Sequence, residues 1–267
     1  MKLTTAFVEA GGLRIAYGRA GSGRPIVFLH GFFGDHRHWR HQLELADDYM
    51  LIAWDTPGCG RSSVPPDTFR MTDYASLLAE FIGRLDLDQP HLVGNSFGGT
   101  LALQLAIQHP EIVRSVVGID TYAGWSGSFT PAVVAERLKA SLPDLELPPE
   151  QVASKWITGF VTPGAPATIK EELRGIITDF NPGGMRLMIR SLAEADLRED
   201  LAEVRLPTLL IWGAQDVRSP LAVARDLEAR LAGSRLVILE GAGHLPQVEA
   251  ADRVNAELRS FFRSVDG

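Results

Sequence analysis

Short apolar runs bounded by turn residues alternate with longer stretches of helical periodicity along most of the chain. Residues 25–30, 89–94 and 208–213 are apolar runs with the length of a β-strand. Each is followed by a segment in which apolar residues recur every three or four positions. Strands that are apolar throughout and alternate with helices are typical of a mostly parallel sheet with helices on both faces. The pattern therefore predicts an α/β fold.

Eight strands and several flanking helices follow from this pattern. The predicted strands are 5–9, 13–17, 25–30, 50–55, 89–94, 113–120, 208–213 and 235–240, and the predicted helices are 35–45, 71–85, 97–108, 221–231 and 251–263. Gly11 and Gly12 separate the first two strands, and paired glycines supply the positive φ of a tight turn. We therefore expect an antiparallel hairpin at one edge of a twisted eight-stranded sheet.

The alternation is interrupted once, between residues 121 and 200. Seven prolines divide this segment into short helical pieces: Pro131, Pro143, Pro148, Pro149, Pro163, Pro166 and Pro182. We interpret residues 121–200 as a helical cap, or lid, inserted into one core domain made of residues 1–120 and 201–267. A chain of 267 residues is long enough for such a domain.

Composition narrows the range of partners. With 45% hydrophobic and 22% charged residues the chain is typical of a globular protein, and its net charge of −7 disfavours nucleic acid. The apolar runs fall short of the roughly 20 residues of a membrane span, and the N-terminus lacks the apolar stretch of a signal peptide. Cys59 is the only cysteine, which excludes an internal disulfide or a thiolate metal cluster. We expect a cytoplasmic monomer or homodimer that binds a small molecule and does not bind membranes.

The segment from Gly94 to Gly98 carries the pattern G-x-S-x-G around Ser96. The pattern alone arises often by chance, but here an apolar strand runs into it and a Leu/Ala-rich helix follows it. A sharp strand-to-helix turn of this kind exposes a serine hydroxyl as a nucleophile. We predict that Ser96 is that nucleophile.

Serine needs a base to accept its proton, and the chain has seven histidines. His244 differs from the others because it lies in a glycine-rich loop directly after the last strand. The acid that orients it should lie at the same sheet edge, where parallel strands end. Asp216 follows the strand 208–213 and precedes His244, which gives the order Ser, Asp, His. Asp120, at the end of another strand, is a competing candidate for the acid.

Acyl transfer also requires donors for the oxyanion, and backbone amides can supply them. The Phe97 N–H directly follows the predicted nucleophile. The second donor should come from the loop at residues 30–34, where the Phe32 N–H is the candidate.

Five motifs in this order resemble those of the α/β-hydrolase superfamily, and the resemblance covers the whole chain. They are the oxyanion loop His30-Gly-Phe-Phe-Gly34, the turn Asp55-Thr-Pro-Gly-Cys-Gly-Arg-Ser62, the elbow Gly94-Asn-Ser-Phe-Gly-Gly99, the acid loop Trp212-Gly-Ala-Gln-Asp216, and Gly243-His244. Asn95 and the compact cap are similar to those of meta-cleavage-product hydrolases, enol-lactone hydrolases and small carboxylesterases. Dehalogenases and epoxide hydrolases of this superfamily carry an aspartate at the position of Ser96, so the resemblance disfavours those reactions.

The carbon–carbon hydrolases of this superfamily usually carry a tryptophan after the catalytic histidine, whereas this chain has Leu245. They also carry a cap arginine that faces the substrate carboxylate, for which Arg186 and Arg190 are candidates. For the pocket wall, apolar cap residues suit an apolar or aromatic group. The candidates for substrate binding are Trp125, Trp156, Phe160, Met185 and Met188.

These observations predict a serine hydrolase that cleaves a small carboxylic ester, lactone or related carbonyl compound through an acyl-enzyme. The predicted chemistry requires neither a metal nor an organic cofactor. Two alternatives remain: a carbon–carbon bond hydrolase, and a slow-turnover ligand receptor on the same fold. Sustained turnover would separate an enzyme from a receptor.

Overall fold

The structure, a computed structural model, describes residues 2–267. Eight strands form one sheet in the order β1-β2-β4-β3-β5-β6-β7-β8. They are β1 (Thr4–Ala10), β2 (Leu13–Ala20), β3 (Arg24–Leu29), β4 (Tyr49–Trp54), β5 (His91–Asn95), β6 (Ser115–Ile119), β7 (Thr208–Gly213) and β8 (Arg235–Leu239). The β1–β2 and β2–β4 pairs are antiparallel, and the five remaining pairs are parallel. The predicted mostly parallel sheet with an edge hairpin is confirmed.

Ten α-helices accompany the sheet in residues 2–267. They are α1 (Met71–Arg84), α2 (Phe97–Gln108), α3 (Trp125–Ser128), α4 (Pro131–Ser141), α5 (Pro149–Phe160), α6 (Ala167–Ile177), α7 (Pro182–Glu194), α8 (Leu221–Arg230), α9 (Pro246–Glu249) and α10 (Ala251–Asp266). None of the helices in this part of the chain is long and apolar enough to cross a bilayer.

The helix predicted at residues 35–45 is a 3₁₀ segment, His36–Asp47. The Asp35 side chain accepts the Arg37 N–H at its start. The buried side chains Trp39, Gln42 and Leu45 recur every three residues, which is the period of a 3₁₀ helix. Apolar spacing of three or four residues does not separate the two helix types over so short a stretch.

The central strands carry apolar side chains at successive positions, so both faces of the sheet are apolar and both are covered by helices. One face packs on α1, α2 and α8, with Leu29 and Trp54 among its side chains. The other face packs on α10 and the 3₁₀ segment, with Phe28 and Ile119 among its side chains. Successive residues along a strand point to opposite faces of the sheet, so neighbouring side chains of β3 belong to different clusters.

Between β6 and β7 the chain forms α3 to α7, in the segment that the sequence predicted as a cap. Their buried side chains, among them Val152, Leu173 and Leu192, belong to the same apolar cluster as the α1–α2 face of the sheet. These helices therefore share a core with the sheet.

Candidate active site

Ser96 occupies the turn between β5 and α2 and has φ +54° and ψ −116°, an unfavourable conformation for a residue with a Cβ. The turn is tight because the chain passes close on both sides. A Cβ at Gly94 would lie 2.2 Å from the Gly98 carbonyl oxygen, and a Cβ at Gly98 would lie 2.0 Å from the Leu29 carbonyl oxygen. The two glycines of the motif are therefore steric requirements of this turn.

Hydrogen bonds hold the turn in place. The Ser96 N–H donates to the Ile119 carbonyl at 2.9 Å, and the Thr121 hydroxyl donates to the Ser96 carbonyl at 2.7 Å. The buried Asn95 amide donates to the His244 carbonyl at 3.0 Å. Asn95, which precedes Ser96, thus joins the turn to the histidine loop, residues 240–245 between β8 and α9.

His244 and Asp216 form a buried pair, with Nδ1 and Oδ2 separated by 2.7 Å. The Arg218 N–H donates to the other oxygen of Asp216 at 2.7 Å. Burial alone would raise the pKa of Asp216, but the charge and hydrogen bond of His244 outweigh it and lower that pKa. Within residues 2–267 no hydrogen bond joins the Ser96 hydroxyl to His244, so Asn95 is the direct link between the two loops.

The competing acid, Asp120, lies beside this pair. It follows β6 directly, is fully buried, and accepts the Gly213 N–H with Oδ1 at 3.0 Å. The His244 ring bonds to Asp216, and a carboxyl oxygen of Asp120 lies within 4.8 Å of the Asp216 carboxyl and the ring.

The two amides predicted for the oxyanion lie on adjacent segments. The rings of Phe32 and Phe97 are 6.1 Å apart, and a Cβ at Gly31 would lie 3.0 Å from the Ser96 Cβ. Within residues 2–267 neither the Phe32 N–H nor the Phe97 N–H donates to another residue. Both amides are thus free beside the serine.

Three of the five candidate substrate-binding side chains lie against these loops. Trp125 and Trp156 contact Phe32, with ring centroids 5.9 and 6.5 Å from its own, and Phe160 stacks on His244 at 5.9 Å. Met188 contacts Cys59, whose Sγ lies 3.3 Å from the methionine sulfur. Met185 is fully buried in the apolar cluster.

Two arginines that the sequence did not single out contact the acid loop, here taken as residues 214–220 between β7 and α8, to which Arg218 itself belongs. The Arg218 guanidinium lies 4.0 Å above the Trp156 ring, and its Nε donates to the Gly159 carbonyl. Burial lowers the pKa of Arg218 to about 10. The Arg137 guanidinium donates to the Arg218 carbonyl at 2.5 Å and lies over the Phe129 ring.

The cap arginines that the sequence did single out are elsewhere. Arg186 pairs with Glu146 at 2.5 Å, in an exposed position, and Arg190 is exposed. No sequence motif marks Arg137 or Arg218.

The C-terminal end of α5 is bonded to the histidine loop. The Glu249 carboxylate accepts N–H groups from Thr162 and Gly243, each at 2.9 Å, and also binds the Thr162 hydroxyl. The Leu245 N–H donates to the Phe160 carbonyl at 3.1 Å. The same helix therefore contacts both the acid loop and the histidine loop.

Two groups of side chains bring potential metal ligands within 4.8 Å of one another. They are Asp35 with His36 and Asp55, and Asp120 with Asp216 and His244. In the first group Arg37 binds Asp35, while Asp55 accepts the backbone N–H and the ring Nδ1 of His36. Hydrogen bonds within the protein thus hold the side chains of the first group together.

Comparisons with known proteins bear on the family and the fold of the chain. The profile of the alpha/beta hydrolase family matches residues 26–257. A dihydrolipoyllysine-residue acetyltransferase component of the acetoin cleaving system of Cupriavidus necator is 29% identical over 95% of this chain and 67% of its own. The pimeloyl-[acyl-carrier protein] methyl ester esterase of Aliivibrio salmonicida is 26% identical over 92% of this chain and 95% of its own.

Among solved structures, a thermophilic esterase from Thermogutta terrifontis superimposes with a TM-score of 0.88. It is 26% identical, and the match covers 98% of this chain and 99% of that one. The match therefore includes α3 to α7 as well as the sheet.

Proposed function

Because the chain belongs to the alpha/beta hydrolase family, we propose that it is a serine hydrolase that cleaves a small carboxylic ester, lactone or related carbonyl compound. The observation that carries the proposal is the conjunction of the strained Ser96 turn with the buried His244–Asp216 pair. Strain of this kind is retained where the surrounding structure enforces it, and it is concentrated at functional sites. Two relatives named as esterases, at 26% identity, support an ester substrate.

In the proposed mechanism the Ser96 hydroxyl attacks the substrate carbonyl while His244 accepts its proton. Asp216 holds the Nδ1 proton of the ring and stabilises the imidazolium that forms. The free Phe32 and Phe97 N–H groups bind the oxyanion. His244 protonates the leaving group, and water activated by the same ring then releases the acid from the acyl-enzyme.

The Ser96 hydroxyl and His244 need to approach each other for the proton transfer. Catalytic hydrogen bonds are often long in the absence of substrate and tighten in the complex. The Asn95 link keeps the two loops together while leaving the hydroxyl free to rotate.

We propose that residues 121–200 act as the cap over this site. Trp125, Trp156 and Phe160 lie against the oxyanion loop or His244, so they are suited to bind an apolar acyl or alcohol group. Arg186 is paired with Glu146, which favours an ester over the carbon–carbon alternative, since a guanidinium engaged at the surface is not available to a substrate carboxylate.

The test is steady-state hydrolysis of p-nitrophenyl esters from acetate to octanoate by the wild type, Ser96→Ala and His244→Ala. Loss of the triad serine or histidine in subtilisin lowers kcat by about 10⁶-fold, so both variants should be inactive within detection. Ser76→Ala, an exposed serine of α1, is the matched control and should keep full activity.

Sustained turnover that both substitutions abolish would support the proposal. Activity that survives Ser96→Ala would refute it. A single turnover followed by arrest would favour the ligand receptor, because a receptor retains the triad without releasing product rapidly.

A further inference from the structure

A second carboxyl is buried directly behind the proposed acid. Asp120 is fully buried, and both of its oxygens face the Gly213 N–H, at 3.0 and 3.3 Å. Its backbone has φ +45°, in the left-handed region that aspartate and asparagine tolerate better than other side chains. The Asp120 N–H donates to the Ile211 carbonyl at 3.0 Å, so β7 holds the residue in this conformation.

The carboxyl oxygens of Asp120 and Asp216 and a ring nitrogen of His244 all lie within 4.8 Å of one another. Two carboxylates this close in a buried site repel strongly, and one of them retains a proton. Asp216 already has one oxygen bonded to His244 and the other to the Arg218 N–H. Those bonds favour the charged form of Asp216, so Asp120 is the member of the pair that stays neutral.

The groups around Asp120 also favour its neutral form. Burial, the charge of Asp216 and the charge of Glu249 raise the pKa of Asp120 well above its ordinary value, against the Gly213 N–H, which lowers it. On the other side of the pair, burial alone would raise the pKa of Asp216, but the charge and hydrogen bond of His244 act against it and that pKa is lowered. Arg218 and Tyr122 interact with the charge of Asp216.

We propose that Asp120 is a positioning residue that remains protonated and donates a hydrogen bond to Asp216. The inference rests on the proposed function, because Asp120 acts through the His244–Asp216 pair. The proton stays on Asp120 throughout the reaction, and no covalent bond forms or breaks there. The additional donor fixes the Asp216 carboxylate and makes it less basic, so that the proton taken from Ser96 stays on His244.

A protonated Asp120 that donates to Asp216 differs from an Asp120 that replaces Asp216 as the acid bonded to His244. Two substitutions at position 120 distinguish these two roles. Asparagine at position 120 accepts the Gly213 N–H with Oδ1, donates to Asp216 with Nδ2 and tolerates the left-handed backbone. Asp120→Asn should therefore keep kcat within about threefold of the wild type. Asp120→Ala removes both bonds, and we expect kcat to fall by about 10- to 100-fold with KM nearly unchanged, as for the loss of a hydrogen bond to a charged group.

The protonation state can be measured directly. Isotope-edited infrared spectroscopy at neutral pH should detect a protonated carboxyl band in the wild type that is absent from Asp120→Asn. Thermal unfolding of each variant accompanies the kinetics, so that loss of folded protein is separated from loss of turnover. If Asp120→Ala does not fold, the asparagine variant and the infrared band still decide the question.

Three results would overturn the inference: a kcat for Asp120→Asn as low as that for Asp120→Ala, an unchanged kcat in Asp120→Ala, or the absence of the band. The first would mean that Asp120 acts as a carboxylate, and the second that it serves the fold only. If the wild type shows no turnover that depends on Ser96, the proposed function fails. The infrared band then still reports whether Asp120 is protonated.

Discussion

Within residues 2–267, five residues other than glycine have positive φ, and three of them lie at the candidate site. They are Phe33, Ser96 and Asp120, whereas Asp86 and Gln89 lie together before β5. A non-glycine residue in this region costs of the order of 1–3 kcal/mol. The site is therefore built on local backbone strain that the surrounding fold must support.

The turn around Ser96 gives the first prediction. Gly98→Ala would place a Cβ 2.0 Å from the Leu29 carbonyl oxygen, which should lower the free energy of unfolding by about 1–3 kcal/mol and reduce kcat. Gly83→Ala in α1 is the matched control, because a Cβ there meets nothing within 4 Å. It should leave kcat unchanged and should not lower stability, because alanine favours the helix more than glycine does.

Chemical denaturation and p-nitrophenyl acetate hydrolysis measure both effects of these substitutions. If the two variants behave alike, the close approach at Gly98 does not constrain the turn.

A pair outside the site gives a prediction on pH. Burial disfavours the charged form of His36, but the hydrogen bond and charge of Asp55 outweigh it and raise the pKa of His36. A raised folded-state pKa stabilises the protein fully below the unfolded value of about 6.5, and the contribution disappears as the pH rises through the folded value.

The wild type should therefore exceed His36→Gln in melting temperature by more at about pH 5.5 than at about pH 8.5. Melting curves at the two pH values measure this difference. Equal differences at both values would contradict the assigned direction.

At the scale of single residues, the sequence predicted the position of those site residues that lie in short motifs. Ser96 lies in a glycine pattern, and Asp216 and His244 lie in loops after strands, so their positions followed from local signals. Arg137 and Arg218 carry no such signal, because their contacts join α4 and α5 to a loop far along the chain. Burial and pairing of that kind are set by tertiary packing.

At the scale of the elements, α5 makes direct hydrogen bonds to both the acid loop and the histidine loop. Its Gly159 and Phe160 carbonyls accept from Arg218 and Leu245, and Glu249 joins the residue two positions after its end to the histidine loop. A helix attached to the acid loop and to the histidine loop can relay a change in the cap to both. We expect α5 to influence turnover as well as substrate binding.

The substitution that tests this is Glu249→Ala. It leaves the Thr162 and Gly243 N–H groups without their acceptor, which should cost about 1–3 kcal/mol of stability. We expect kcat to fall by about tenfold, the factor that about 1.4 kcal/mol of lost positioning produces. Glu136→Ala, on the exposed side of α4, should change neither quantity. An unchanged kcat in Glu249→Ala would show that the bond serves the fold alone.

The strands were predictable because a strand buried on both faces is a continuous apolar run. The ends of the strands were less predictable from the sequence. β2 extends to Ala20, beyond the predicted end at residue 17, because it pairs with β1 and also with β4. The 3₁₀ segment was predicted as an ordinary helix, since both types place apolar side chains on one face.

At the scale of the whole molecule, the cap and the sheet share one apolar cluster. Side chains of α5, α6 and α7 belong to the same cluster as those of α1 and α2. Removal of residues 121–200 would expose that surface to water, at a cost of roughly 25 cal/mol for each Å². The cap is therefore not expected to fold or unfold separately.

We accordingly predict a single cooperative transition. Tryptophan fluorescence, to which the cap residues Trp125 and Trp156 contribute, and far-ultraviolet circular dichroism should give the same melting temperature. A cap that melts first would separate the two curves and contradict the shared core.

The burial of Cys59 also makes the protein suited to site-specific labelling. This thiol, the only one in the chain, is 4% exposed and packs on Met188, and burial raises its pKa, so maleimide reagents should leave the native protein unmodified. A cysteine introduced at Val217, which is 75% exposed and adjacent to Asp216, would then be the single reactive position. A fluorophore attached there would report movements of the acid loop during turnover, without any need to remove a native cysteine first.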